Sequence, residues 1–314
     1  MKENETIQAT GFATGLGANI GANSLSRRAF LGRLALLAGG SAVVMACGTQ
    51  GGTIAPSPTP SSTGRPTVAA DTASAASQDA LDVMIEAGPV QFEANGDTLL
   101  GYLARPSLPG LHPGVLLVHE NRGLLPHFLD VTRRLAGEGY VTLAVDMLSR
   151  KGGTDSFPDT SAMLNALRGI PTDQIVADGN AGVRYLQDQS FVEGNRVGAM
   201  GFCFGGGIVW LMAVGNPDLR AAVPFYGSAP PLEDVANLQV PVLGIYAGSD
   251  ARINAGVPAL EAALMAEGKN YRFVTYPGAN HAFFNDTGSR YHPQAAGEAW
   301  LATLDWFEEH LMDS

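Results

Sequence analysis

Cys203 stands within Gly201-Phe202-Cys203-Phe204-Gly205-Gly206, where small residues flank a reactive side chain at the spacing of a strand-to-helix elbow. Such an elbow lifts one side chain above the ends of the neighbouring strands, and it needs glycines because the backbone there packs too closely for larger residues. The flanks fit that context: 196–200 reads as a short apolar strand, and 207–212 as the start of an apolar helix. A free cysteine is more often a small buried hydrophobe than a catalyst, but its position in this turn makes Cys203 a candidate nucleophile.

A thiol with an ordinary pKa of ~8.5 needs a base, and the base needs an acceptor that fixes its tautomer. Downstream of Cys203, Gly248-Ser249-Asp250 follows an apolar run at 242–246, and Gly278-Ala279-Asn280-His281 follows another at 271–276. Nucleophile, acid, histidine is the chain order of α/β-hydrolase triads, so Asp250 and His281 are the candidate orienting acid and general base. His292, just before Pro293, and His310, near the chain end, are poorer placed. No His-x-x-x-His or paired-cysteine spacing occurs, so neither a metal nor another cofactor is expected.

The elements that must bring these groups together alternate along the chain. Extended pieces at 83–85 and 90–92, then 99–103 after Asn95-Gly96-Asp97, read as an antiparallel lead-in to a sheet. Strands are then expected at 114–119, 141–146, 196–200, 221–226, 242–246 and 271–276. Helices are expected at 128–135, in stretches up to about 187, at 258–266 and at 295–311. Uniformly apolar strands imply burial on both faces, hence a doubly wound, mainly parallel α/β sheet with helices on both faces, which with the elbow and the nucleophile–acid–histidine order resembles the α/β-hydrolase fold. Reactive groups in such a sheet lie at the carboxyl ends of its strands.

Ahead of this domain, Ser26-Arg27-Arg28-Ala29-Phe30-Leu31 and the apolar run 34–46 resemble a twin-arginine export signal. The run ends at Val44-Met45-Ala46-Cys47-Gly48, similar to a lipoprotein processing site with Cys47 as the lipidated residue. Residues 1–47 are thus an address, and 48–80 a Gly/Ser/Thr/Pro/Ala linker too poor in large apolar residues to fold. Residues 81–314 form one catalytic domain. The protein is expected outside the cytoplasmic membrane, periplasmic or at the cell surface, with Cys47 as a lipid tether.

With only Cys47 and Cys203 present, the mature domain has no disulfide to rely on. Net charge is −11, and −13 once residues 1–47 are set aside, which argues against a nucleic-acid partner.

Gly-x-Cys-x-Gly-Gly at 201–206, Gly-Ser-Asp at 248–250 and Gly-x-x-His at 278–281 together resemble the dienelactone hydrolase (carboxymethylenebutenolidase) family over about residues 83–311. The resemblance implies a glutamate beside the thiol at the end of the first long parallel strand, here Glu120, bonding the thiol at rest and helping to activate it. Backbone N–H groups of Phe204 and Asn121 would form the oxyanion hole. Family members that cleave dienelactone hold its carboxylate with two arginines; Arg150 matches the first position, and the uncharged Asn285 occupies the second. An amide there weakens carboxylate binding and disfavours dienelactone itself. Arg122 and Arg290 are candidate replacement cations, and Phe283 and Tyr226, with Phe202 and Phe204, candidate pocket walls.

The reading is therefore a cysteine hydrolase acting on a small ester or lactone, anionic if an arginine reaches it. The alternative is a non-catalytic, tethered binding protein on a retained fold, for which a lost triad member would be the sign. A thiol redox sensor lacks a resolving cysteine.

Overall fold

The computed structural model describes residues 84–312; the export signal, Cys47 and the linker lie outside the described residues. The chain enters through strands β1 (Ile85–Ala94) and β2 (Asp97–Pro106). They form an antiparallel hairpin closed by Asn95 and Gly96, whose φ angles of 54° and 84° are those of a type I′ turn. β1 is one continuous strand where the sequence suggested two pieces. It is the outer strand of the sheet, so Pro89 interrupts no inner ladder.

Six further strands follow: β3 (His112–Val118), β4 (Val141–Val145), β5 (Val192–Phe202), β6 (Ala221–Phe225), β7 (Val242–Ala247) and β8 (Tyr271–Tyr276). The eight lie in the order β1-β2-β4-β3-β5-β6-β7-β8, with β2 antiparallel to β4 and every pairing from β4 to β8 parallel. Helices α1 (Pro126–Gly137), α2 (Thr160–Arg168), α3 (Thr172–Gln187), α4 (Phe204–Gly215), α5 (Ala251–Asn254), α6 (Val257–Ala266) and α7 (Pro293–Leu311) make the crossovers and close the chain.

The sheet is covered on both faces, and β3 shows why its strands read as unbroken apolar runs. Val115 and Leu117 pack with Phe128 of α1 and Phe307 of α7, while Leu116 and Val118 pack with Val183 of α3 and Met212 of α4. All four strand residues are fully buried, as a strand with helices above and below requires. The strand-to-helix direction then puts the residues after β3, β5, β7 and β8 at one edge of the sheet, and these are Glu120, Cys203, Asp250 and His281.

Candidate active site

The elbow is built by close backbone contact. A Cβ on Gly205 would sit 2.3 Å from the Val118 carbonyl oxygen, and one on Gly201 2.3 Å from that of Gly205, so α4 can press onto the end of β3 only with glycines there. Cys203 takes φ 55° and ψ −110° at the N-cap of α4. A non-glycine residue held there costs about 1–3 kcal/mol. Its N–H donates to the Phe225 carbonyl at 3.0 Å and its carbonyl accepts from Gly207 N–H at 3.2 Å, which hold the bend.

Asp250 follows β7 and caps α5, its Oδ1 accepting from Ile253 N–H at 3.4 Å. Its Oδ2 lies 2.5 Å from Nδ1 of His281. A carboxylate can only accept, so Nδ1 carries the proton and Nε2 is left as the basic nitrogen. The His281 ring rests on Tyr226, centroids 5.0 Å apart. Cys203, Tyr226 and the residue after His281, Ala282, account for three of the four non-glycine residues with positive φ among the described residues, so backbone strain is concentrated here.

The loop after β3 is held by a buried polar network. Nε2 of the fully buried His119 accepts from Met147 N–H at 3.0 Å, which leaves Nδ1 to donate to the Glu120 carbonyl at 2.6 Å. Burial lowers the His119 pKa, consistent with this neutral form. Asp146, also buried, accepts from Thr154 N–H and Oγ1, and Thr154 Oγ1 accepts from Leu124 N–H at 2.8 Å. The peptide joining Glu120 to Asn121 is thereby fixed from its carbonyl side, and a planar trans peptide fixes the Asn121 N–H with it.

Glu120, Asn121, Cys203, Asp250 and His281 line one cavity of about 500 Å³ together with Arg122, Asn285 and Arg290. Asn121, Cys203 and Phe204 also line a second, of about 570 Å³. Glu120 accepts a hydrogen bond from Asn285, not from the thiol as its resting partner was expected to be. Burial first, and then the charge of Glu120, push the Cys203 thiol up to about 11, with the Phe204 N–H, Arg252 and Arg290 pulling it down. The resting sulfur is therefore a protonated thiol at neutral pH.

Four expected substrate contacts, Arg150, Phe202, Phe283 and Tyr226, are not brought to these cavities, and Phe202 is fully buried in the core. Arg150 lines neither: its guanidinium donates to both oxygens of Asp178, to Asp97 and to the Ala94 carbonyl, tying the β1–β2 hairpin to α3. The strand-end position suggested a substrate cation, but two nearby carboxylates claim it. Phe283 and Tyr226 are fully buried and pack on each other edge to face, so they form the floor beneath His281 and not a wall. Sequence reasoning missed His119, Leu164 and Arg252. A histidine closing an otherwise apolar strand was a signal for the first; the other two are ordinary helix residues placed by tertiary structure alone.

An eight-stranded mixed sheet with a strained strand-to-helix elbow after β5 and an acid and a histidine at neighbouring strand ends is an α/β-hydrolase fold. Residues 99–311 match the dienelactone hydrolase family. A protein of Salmonella typhi named as a candidate carboxymethylenebutenolidase is 35% identical over 242 residues, 73% of this chain and 89% of that protein. One of the same designation from Escherichia coli K12 is 34% identical with the same coverage. The crystal structure of a candidate dienelactone hydrolase from Klebsiella pneumoniae superposes with a TM-score of 0.68 at 33% identity, covering 72% of this chain and 99% of that one. The chain belongs to the dienelactone hydrolase family, and is a hydrolase of the ester and lactone class.

Proposed function

We propose that this hydrolase cleaves carboxylic esters or lactones through a thioester on Cys203, with His281 as base and acid and Asp250 as its orienter. The observation that carries the reading is the convergence of Cys203, Glu120 and the hydrogen-bonded His281–Asp250 pair on one cavity.

The thiol first gives its proton to Nε2 of His281, and Sγ adds to the substrate carbonyl carbon. Phe204 N–H and Asn121 N–H stabilise the resulting oxyanion; such a donor contributes about 10²–10³ in rate. The carbon–oxygen bond to the alcohol breaks as His281 protonates the leaving oxygen. Water, deprotonated by His281, then cleaves the thioester, releasing the acid and restoring the thiol. A thiol pushed up to about 11 requires that activation coincide with substrate binding. Glu120 is the nearby group whose charge the substrate must offset or displace.

Mass spectrometry after brief mixing with an activated aryl ester tests this. An acyl adduct on Cys203 that disappears as product accumulates is the expected result, and its absence together with unchanged turnover in Cys203→Ala would discard the nucleophile. We further propose export by the twin-arginine signal and anchoring through Cys47. Metabolic labelling with a palmitate analogue, compared with Cys47→Ser, checks the anchor.

A further inference from the structure

Met84, Leu108 and Leu111 are three of the seven large apolar side chains that stand exposed among the described residues, and they gather where the chain enters the domain. We propose that this tip is a bilayer-docking face, resting on lipid while the catalytic cavities face water. The inference goes beyond the hydrolase reading and rests on the proposed Cys47 anchor.

The tip is the loop between β2 and β3 together with the residue before β1. Ser107 N–H donates to the Met84 carbonyl at 2.9 Å, which sets Leu108 beside the chain entry. His112 closes the loop, its Nε2 donating to the Leu108 carbonyl and its N–H to the Phe191 carbonyl, each at 3.1 Å. The two leucines are left 65% and 63% exposed, and Met84 59%. Residues 106–119 include no Lys, Arg, Asp or Glu, and the flanking Arg105 and Glu86 pair with each other. Lone exposed leucines are ordinary, whereas an uncharged cluster of this kind marks a contact with a partner or a membrane.

Its occupant follows from where the chain leads. Cys47 lies 37 positions before Met84, so a lipid on Cys47 holds the domain by this tip. Held so, the contact is intramolecular, and side chains too few to bind a bilayer alone suffice. The contact is apolar, since the −13 net charge outside residues 1–47 gains nothing from anionic lipid. Leu111 precedes β3 and Glu120 follows it, just as Phe191 precedes β5 and Cys203 follows it. The seven residues of β3, at about 3.3 Å each, put more than ~20 Å between the tip and the site. A hydrolase docked this way takes its esters from water and not from the bilayer.

Hydrogen–deuterium exchange of the full chain on phosphatidylcholine vesicles, with flotation as the measure of binding, tests the face. The amides of Leu108, Gly110 and Leu111 should exchange severalfold more slowly with vesicles than without, while those of 285–290, beside the catalytic cavity, keep their rates. Each leucine buried in lipid is worth about tenfold in partition, so Leu108→Glu/Leu111→Glu should lose the protection and still float through Cys47. Flotation without protection of the loop, or with protection at 285–290 instead, overturns the docking face and leaves the anchor standing. Protection that grows with protein concentration in the absence of vesicles assigns the face to a second copy and also overturns it. Absence of flotation overturns anchor and face together, and leaves the hydrolase untouched.

Discussion

Asn285 donates its side-chain amide to Oε2 of Glu120 at 3.2 Å, across 165 positions of sequence. Its own oxygen accepts from Thr287 N–H at 3.1 Å and Thr287 Oγ1 at 2.7 Å, which fixes which end of the amide faces the glutamate. Asn285 therefore acts on the carboxylate beside the thiol, and the cations of the site come from elsewhere. The loop carrying it is pinned in turn by His127, whose Nδ1 donates to Asp286 at 2.8 Å.

Asn285→Leu should leave the buried Glu120 carboxylate without this donor and cost about 1–3 kcal/mol of stability. The measurement is the denaturation midpoint in urea. A double-mutant cycle with Glu120→Gln should show the two costs to be less than additive; strict additivity would mean the bond carries no energy.

The thiol should alkylate slowly at neutral pH without substrate. Burial and the Glu120 charge push its folded pKa up to about 11, above the ordinary thiol range, so iodoacetamide labelling of Cys203 should keep rising through pH 9–11. Removing the Glu120 charge stabilises the thiolate, so Glu120→Gln should shift that profile to lower pH. The same shift bears on folding. Between pH 9 and 11 the unfolded chain gives up this proton before the folded one, so stability should fall with rising pH there, and the fall should be smaller in Cys203→Ala.

His119 is a positioning residue: it holds the Glu120 carbonyl and so the direction of the Asn121 N–H. If the Asn121 N–H serves as the proposed oxyanion donor, His119→Leu should lower kcat by about 10²-fold with a much smaller change in KM. Glutamine, which both donates and accepts, should recover part of the loss. Equal effects of leucine and glutamine, or a change confined to KM, would reduce His119 to packing.

Arg150→Ala should act on stability. It strips the buried Asp178 of its cation while Gln174 still donates to it at 3.0 Å, so the expected cost is about 2–3 kcal/mol. The ratio of kcat/KM for anionic over neutral esters should not move. A drop in that ratio would return Arg150 to the substrate.

The local features were legible in the chain itself because they depend on short-range geometry. Gly201, Gly205 and Gly206 around Cys203 announce a bend that only glycines permit, Asn95-Gly96 announces a hairpin turn, and the unbroken apolar runs announce strands covered on both faces. The order of Cys203, Asp250 and His281 marked them as candidates for one site, since strand-end residues of a parallel sheet share one edge. Which charges face the site depended on contacts that sequence spacing does not encode. Arg150 is drawn away because Asp97 and Asp178, 53 and 28 positions distant, converge on it. Arg252 and Leu164, unremarkable in sequence, reach Cys203 because α5 and α2 fold over its cavities. Charge partners and cavity walls are set by which surfaces meet across the sheet, and only the tertiary structure decides that.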